Sequence, residues 1–281
     1  MVVLSIITPT FNGAQFLSAC IKCVTQQASS EIEHIVIDGG SSDDSVQLLE
    51  EYAEKYPHLH FVSEPDKGQS DAMNKGIRMA KGSFITFLNV DDAYTENAIG
   101  EMLEEISREP KADFIAGNCE CKGSSYYHLN RPLRLDPYSI VRPERYEFPA
   151  NPAAYCYRRS LHDKIGYYNE EDHYSMDYGF LVAISPFIKY RYIDVTWGVF
   201  NQHPDCKTIQ GLSNSKETKR ISLEHGIRCW PLCLRVKYQA HQIGLSFLGW
   251  MKRLGLFSRE IVAKARVRLA IRSRVRNWLG R

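Results

Sequence analysis

The chain has 281 residues, of which 44% are hydrophobic and 24% are charged. This balance is typical of a globular protein with one sizeable core, and it excludes a disordered chain. The formal net charge of +2 conceals an asymmetry, because residues 235–281 hold twelve Lys and Arg against a single acid, Glu260. Residues 1–234 are therefore net acidic, and we expect the two regions to meet different partners.

The eight cysteines are too sparse for a disulfide framework in a chain of this length. Cys20 and Cys23 form a CxxC pair, but they fall in an amphipathic helical pattern, and no second pair stands at zinc spacing. We therefore predict reduced, structural thiols. The first residues lack the pattern of a signal peptide, and the longest apolar run near the C-terminus, residues 243–251, is about half as long as a membrane span. These features predict a cytoplasmic protein.

Strand and helix patterns alternate over the first hundred residues. Short β-rich apolar runs predict strands at residues 2–8, 34–37, 60–63 and 83–88. Helical spacing of apolar residues, or helix start and stop signals, fills the segments between them. Such an alternation predicts a parallel, doubly wound sheet with helices on its faces.

Three of these strands end in polar residues, namely Pro9 with Thr10, then Asp38, then Asp91 with Asp92. In open α/β sheets, ligands bind outside the carboxyl ends of the strands. Paired carboxylates there suit a hard divalent cation that holds a phosphorylated substrate, although Asp is also common in turns and helix caps. The chain has neither a dinucleotide nor a P-loop glycine motif, so phosphate charge would be met by a cation and side chains.

Four segments, taken together, resemble the family 2 glycosyltransferases. They are residues 5–12 (SIITPTFN), 37–43 (IDGGSSD), 66–68 with 71–76 (DKG and DAMNKG) and 87–92 (FLNVDD). A fainter likeness continues to about residue 208. The resemblance implies an A-type glycosyltransferase fold, with a mostly parallel Rossmann-like sheet and flanking helices. It also implies an inverting transfer from a nucleotide-sugar.

The resemblance assigns roles to numbered positions. The nucleotide-sugar would be bound by Pro9, Thr10, Asp38, Asp71, Asn74, Lys75 and Asp91. Asp92 would ligate Mn²⁺ or Mg²⁺ bridging the diphosphate, and His203 would complete the metal site or touch the diphosphate. Two positions depart from the family pattern, because Met73 replaces a frequent Arg and Asn89 a frequent Asp. With the first departure, phosphate neutralisation would rely more on the metal and on Lys75 or Arg78, or the nucleotide would differ.

The family's general base corresponds to Asp177, in a segment that opens a predicted helix. Its carboxylate would take the proton from the acceptor hydroxyl while that oxygen attacks the anomeric carbon. The alternative is a plain helix cap. Gly179 stands where many relatives carry an acid, which leaves the acceptor contacts around it open. Lys207 is a candidate phosphate ligand.

We divide the chain into a catalytic domain, residues 1–211, and a basic helical extension, residues 212–281. The domain has a nucleotide-sugar half (about 1–117) and an acceptor half (about 118–211), in which residues 123–145 are an acceptor-side insertion or a plain packed loop. Residues 259–279 predict a basic amphipathic helix, which suits an anionic membrane surface. A solvated helix packed on the domain or on a dimer partner is the alternative.

The sequence thus predicts a metal-dependent glycosyltransferase, acting on a saccharide or lipid-linked saccharide in surface polysaccharide or cell-envelope synthesis. The extension would make it peripheral on the cytoplasmic face of the membrane. Two other classes stay open, namely a nucleotide-sugar-binding protein without turnover and a membrane-associated scaffold acting through the basic helix. Thin aromatic interleaving and the absence of a recognition motif argue against nucleic acid.

Overall fold

The computed structural model describes residues 1–124, 126–137, 140, 148–204, 206–207 and 220–221. They form a single mixed sheet with helices packed on its faces. The strands are β1 (Leu4–Thr10), β2 (Ile32–Asp38), β3 (Leu59–Ser63), β4 (Phe84–Phe87), β5 (Ala93–Tyr94), β6 (Phe114–Gly123), β7 (Tyr126–Asn130), β8 (Tyr155–Arg158) and β9 (Tyr190–Asn201). The helices are α1 (Ala14–Thr25), α2 (Ser45–Lys55), α3 (Gln69–Met79), α4 (Ala98–Arg108), α5 (Leu161–Ile165) and α6 (Met176–Ile184).

The first four strands form the parallel half of the sheet, in the order β3-β2-β1-β4. Every residue of β1 is buried, which explains why both of its faces are apolar. Thr10 pairs in register with Asp38, so β1 and β2 end side by side. The alternation predicted from the sequence is confirmed here, and it brings the polar strand ends to one edge.

Beyond β4 the sheet becomes mixed. It continues through β8, β6, β9 and β5, with β7 added on β6. β8 runs antiparallel to both β4 and β6, whereas β6 and β9 are parallel. The sequence patterns did not predict β5, β7 or β9, and β7 forms part of the segment interpreted as an acceptor-side insertion.

Strand β9 is fastened to the core by Trp197, whose side chain is fully buried. Its indole N–H donates to Glu101 in α4 at 3.0 Å, and its carbonyl accepts from the backbone N–H of Thr95 at 2.8 Å. α4 itself is held by a buried apolar stripe that includes Ile99 and Met102. These contacts fix the end of β9, which carries the chain back to the acidic pair after β4.

The six cysteines within the described ranges are free thiols, as predicted. Among the helices that the structure describes, none is long and apolar enough to cross a membrane. The predicted basic extension, residues 212–281, lies outside the described residues apart from positions 220 and 221. Its amphipathic helix therefore remains a prediction.

Gly68, just before α3, has φ +117° and ψ −179°, a backbone conformation that only glycine adopts readily. We expect Gly68→Ala to lower the free energy of unfolding by about 1–3 kcal/mol. Gly100 is the matched control, because it lies exposed inside α4 with open space around the position of a Cβ. There, Gly100→Ala is expected to stabilise the protein by about 0.5–1 kcal/mol. Urea denaturation of both variants tests this opposite pair of effects.

Candidate active site

Pro9 and Thr10 lie at the carboxyl end of β1, opposite Ile37 and Asp38 of β2. The Thr10 hydroxyl is buried and has no hydrogen-bond partner among the described residues. A buried hydroxyl without a partner is costly, so it marks a place where a ligand or water is expected to bind. Thr10 thus stands where the sequence placed a nucleotide contact.

Asp38 is fully buried, and both of its side-chain oxygens accept hydrogen bonds from protein groups. Oδ2 accepts from the backbone N–H of Gly40 at 3.1 Å, from that of Ser41 at 2.9 Å and from the Ser63 hydroxyl at 2.7 Å. Oδ1 accepts from the Ser41 hydroxyl. This arrangement holds the loop after β2 in shape. Among the described residues, Oδ1 accepts only this one hydrogen bond from Ser41, and direct nucleotide contact by Asp38 stays a prediction.

Asp91 and His203 form the accessible polar pair of the site. His203 Nε2 lies 3.0 Å from Asp91 Oδ2, and roughly a quarter of each side chain is exposed, at 25% and 22%. The Phe16 ring in α1 packs at 5.2 Å from the imidazole, and the Asn201 amide donates to the Asp91 carbonyl at 2.9 Å. One helix, α1, and one strand, β9, which are distant in sequence, therefore hold a carboxylate and an imidazole together at the sheet edge.

Asp92 has a different environment from its neighbour, because it is only 4% exposed. Its Oδ2 accepts from the amides of Asn89 at 2.9 Å and Asn151 at 2.8 Å, and its Oδ1 accepts from the Asn201 backbone N–H at 3.0 Å. Burial, together with the charge of Asp91, raises the pKa of Asp92 to about 7 despite these bonds. Three of the roughly four acceptor positions of the Asp92 carboxylate are thus occupied within the protein, and its role as metal ligand stays a prediction.

The residues of α3 that were predicted to bind the nucleotide-sugar make contacts with other parts of the protein. Asn74 is 2% exposed, and its amide donates to the Tyr168 carbonyl and accepts from the Tyr168 N–H, both at 2.9 Å. Lys75 pairs with Glu64 at 2.9 Å and Asp71 at 3.8 Å. Asn74 therefore clamps α3 to the segment before α6, and its contact with the nucleotide stays a prediction.

Asn74→Ala would leave both backbone polar groups of Tyr168 buried without a partner. We expect a loss of about 2–4 kcal/mol in the free energy of unfolding, since each unmade bond costs about 1–3 kcal/mol. Urea denaturation measures this, with Gln47→Ala, an exposed amide on α2, as the matched control. If Asn74→Ala weakened nucleotide binding without altering stability, the clamp assignment would be wrong.

Asp177 is the second residue of α6, and its Oδ1 is buried without a hydrogen-bond partner. Burial raises the pKa of Asp177 to about 6, while the charge of Lys207 acts in the opposite direction. Lys207 also interacts electrostatically with Asp66, which follows β3. The hydroxyl of Tyr155 is likewise buried, with no hydrogen-bond partner among the described residues. A carboxylate whose pKa is raised and whose Oδ1 lacks a partner is suited to accept a proton.

Several residues of the site had no role in the sequence analysis. Asn151 and Asn201 orient the acidic pair, and the buried Tyr155 hydroxyl interacts electrostatically with Asp177. Asn151 and Tyr155 lie outside the four segments that carry the resemblance, and Asn201 falls in the fainter likeness that continues to about residue 208. Their contacts with the acidic residues are visible only in the three-dimensional structure.

A family model described as glycosyl transferase family 2 matches residues 5–166, more than half of the chain. The chain belongs to glycosyl transferase family 2. The match covers the parallel half of the sheet, the acidic pair and Asn151, and it ends before Asp177. The protein is a glycosyltransferase.

Curated relatives of this family 2 glycosyltransferase are also glycosyltransferases. It is 28% identical over 215 residues to a PGL/p-HBAD biosynthesis glycosyltransferase of Mycobacterium tuberculosis, covering 75% of this chain and 79% of the relative. It is 28% identical over 216 residues to the uncharacterized glycosyltransferase EpsJ of Bacillus subtilis, covering 73% and 62%. Both alignments reach beyond the segment matched by the family model.

Solved structures support the A-type glycosyltransferase fold. Staphylococcus aureus TarS 1-349 in complex with UDP-GlcNAc matches with a TM-score of 0.65 at 18% identity, over 82% of this chain and 68% of TarS 1-349. The mannosyltransferase PcManGT of Pyrobaculum calidifontis, in complex with GDP-Man and Mn²⁺, matches with a TM-score of 0.64 at 15% identity, over 98% and 82%. At these identities the likeness shows the fold alone.

The described part of this family 2 chain contains no cluster of three or more His, Cys, Asp or Glu side chains able to hold a metal. The pair Asp91 and His203 nevertheless fits a divalent cation of the kind that carries phosphates. Such cations are held by one or two protein ligands, with substrate phosphates and water completing the coordination. Two protein ligands close together and partly exposed meet that requirement.

Proposed function

We propose that this glycosyltransferase is an inverting enzyme that moves a sugar from a nucleotide-diphosphate sugar to a hydroxyl of a saccharide or lipid-linked saccharide. One observation carries the proposal, namely the Asp177 carboxylate, whose Oδ1 is buried and has no hydrogen-bond partner among the described residues. The similar folds of TarS in complex with UDP-GlcNAc and of PcManGT in complex with GDP-Man support a nucleotide-sugar donor.

The donor binds at the edge formed by β1, β2 and β4. The Thr10 hydroxyl, buried and unpartnered, makes the nucleoside contact, and Asp38 keeps the adjacent loop in shape. Asp91 and His203 hold Mn²⁺ or Mg²⁺, which neutralises charge on the leaving diphosphate when it is bound. Asp92 acts indirectly, because its bonds to Asn151 and to Asn201 fix the backbone that presents Asp91.

Asp177 acts as general base. Its carboxylate removes the proton from the acceptor hydroxyl as that oxygen forms the new bond to the anomeric carbon. The bond from that carbon to the phosphate oxygen breaks, and its electron pair leaves with the nucleoside diphosphate. Attack from the side opposite the leaving group inverts the anomeric configuration. Lys207 counteracts part of the pKa elevation of Asp177, so the base is ionised near neutral pH.

The two other classes are less well supported. The Asp177 carboxylate is suited to accept a proton, and a binding protein without turnover does not require a proton acceptor. Residues 235–281, the most basic part of the extension, still suit an anionic membrane surface on the cytoplasmic side. Such attachment would serve a lipid-linked acceptor in cell-envelope synthesis. Flotation with liposomes of anionic and neutral composition, using the full chain, tests that part separately.

The test of the proposed function is release of nucleoside diphosphate from UDP-, GDP- and dTDP-sugars, with membrane lipid extract and oligosaccharides as acceptors. We expect nucleoside diphosphate release to require Mn²⁺ or Mg²⁺ and to occur with the sugar donors of only one nucleotide. The anomeric coupling of the product, measured by proton NMR, is expected to show inversion. A product that retains the donor configuration would contradict the assigned mechanism.

A further inference from the structure

Arg220 and Ile221, the described residues furthest along the chain, lie against two separate parts of the site. Arg220 donates a hydrogen bond to the carboxylate of Asp172, a side chain of which only 6% is exposed. Ile221 is fully buried and packs against Gly179 in α6. Two carbon atoms of its side chain stand 3.6 and 3.7 Å from the position of a Cβ at Gly179.

Asp172 connects Arg220 to the donor side of the site. Its backbone carbonyl accepts a hydrogen bond of 2.8 Å from the hydroxyl of Ser70, in the first turn of α3. Ser70 is 2% exposed, so this bond is shielded from water. Four residues further along α3, Asn74 clamps the backbone of Tyr168. Arg220 therefore reinforces a segment that α3 already holds at two points.

Ile221 makes its contact on the acceptor side. Gly179 lies two residues after Asp177 in a helix of nine residues. A helix this short is not stable alone in water, so its position depends on packing against the rest of the protein. Because Gly179 has no side chain, the contact with Ile221 brings that packing close to the backbone that carries Asp177.

We propose that Arg220 and Ile221 are positioning residues that hold the base-bearing helix α6 and the α3 side of the site in a fixed relation. The inference rests on the proposed function of Asp177. It gives residues beyond 211, the predicted end of the catalytic domain, a part in catalysis that is separate from membrane attachment. Gly179, which has no side chain, is the position that accommodates Ile221.

The test compares Ile221→Ala with Ile99→Ala in the full chain. Ile99 is the matched control, a fully buried isoleucine of α4 in the central core. Hydrogen exchange is measured on peptides covering α6 and α4. We expect exchange across residues 176–184 to become about tenfold faster in Ile221→Ala, and to stay unchanged in Ile99→Ala. Unchanged α6 exchange in Ile221→Ala would overturn the proposal.

The second readout is nucleoside diphosphate release from the sugar donors, at a temperature well below the unfolding midpoint of each variant. We expect kcat of Ile221→Ala and Arg220→Gln to fall about 10–100-fold, since small misplacements of a catalytic group have effects of this size. The donor KM stays unchanged, and Ile221→Val restores most of the activity. An equal fall of kcat in Ile99→Ala would overturn the proposal.

These readouts separate two kinds of failure. If the wild-type chain releases no nucleoside diphosphate from any donor, the proposed function fails, and the exchange data alone decide whether Ile221 holds α6. If Ile221→Ala does not fold, Arg220→Gln carries the same test. Normal kcat and normal exchange in Arg220→Gln would refute the positioning role.

Discussion

Replacing Asp177 by Asn is expected to reduce sugar transfer by about 10²–10⁴-fold, because a positioned general base contributes on that scale. The change keeps the shape of the side chain but removes its ability to accept a proton. Donor binding is expected to stay intact, since the donor residues lie on β1, β2 and the segment after β4. The measurement is the rate of nucleoside diphosphate release at saturating donor.

The same variant is expected to be more stable than the wild type at pH 7.5. Burial raises the pKa of Asp177 to about 6, above the ordinary value of 3.8. The folded protein therefore holds the proton more tightly than the unfolded chain, and stability falls as the pH rises from about 4 through 6. Asn avoids this penalty, which is on the order of 1–3 kcal/mol. Urea denaturation at pH 4 and pH 7.5 measures the difference.

Asp163→Asn is the matched control for both effects, because Asp163 is an exposed residue in the first turn of α5. It should leave rate and stability nearly unchanged. The wild-type rate should also rise with pH through about 6, as the base loses its proton. An active Asp177→Asn enzyme, or a rate independent of pH there, would remove Asp177 from the mechanism.

The second large effect is a loss of Mn²⁺ binding on substitution of Asp91. Asp91→Asn should weaken Mn²⁺ binding in the presence of nucleoside diphosphate by about 100-fold or more, and His203→Ala by about 10–100-fold. Loss of the free Mn²⁺ signal in paramagnetic resonance, with UDP and then GDP as probe, measures binding directly. The reason is geometric, because Asp91 and His203 are the partly exposed pair of the site.

Asp92→Asn is the comparison that decides between the two acids. An amide there would bring N–H groups against the donors of Asn89, Asn151 and Asn201. We expect a loss of stability of about 1–3 kcal/mol, with metal binding reduced less than in Asp91→Asn. If Asp92→Asn abolished Mn²⁺ binding while Asp91→Asn retained it, the original sequence prediction would be right and the proposed pair of Asp91 and His203 wrong.

The parallel half of the fold was predictable because its signals are local. β1 is apolar on both faces, and the helices beside it have regular apolar spacing, so each element is visible within a dozen residues. β9 was missed because its residues alternate only weakly between buried and exposed. Its place between β6 and β5 depends on partners far away in the chain.

The candidate site was likewise predictable only where its signals are local in the sequence. The motifs located the acidic pair, but adjacent carboxylates look alike in a sequence. What separates them is a hydrogen bond from Asn151, 59 residues away, and another from the backbone of Asn201, 109 residues away. Asn74 was likewise placed in the donor site, whereas its partner in the fold is the backbone of Tyr168. Long-range polar contacts of this kind have no signature in a short motif.

The proposed function requires a metal-dependent nucleotide site at the edge of β1, β2 and β4. It is tested most directly by thermal unfolding of wild type and Asp91→Asn with UDP, GDP, dTDP and CMP, each with and without Mn²⁺. We predict that one diphosphate raises the wild-type midpoint by about 5 °C or more, only with Mn²⁺, since ligand at 100 times its Kd adds about 2.7 kcal/mol. Asp91→Asn should lose that shift. No shift with any nucleotide at millimolar concentration would contradict the account.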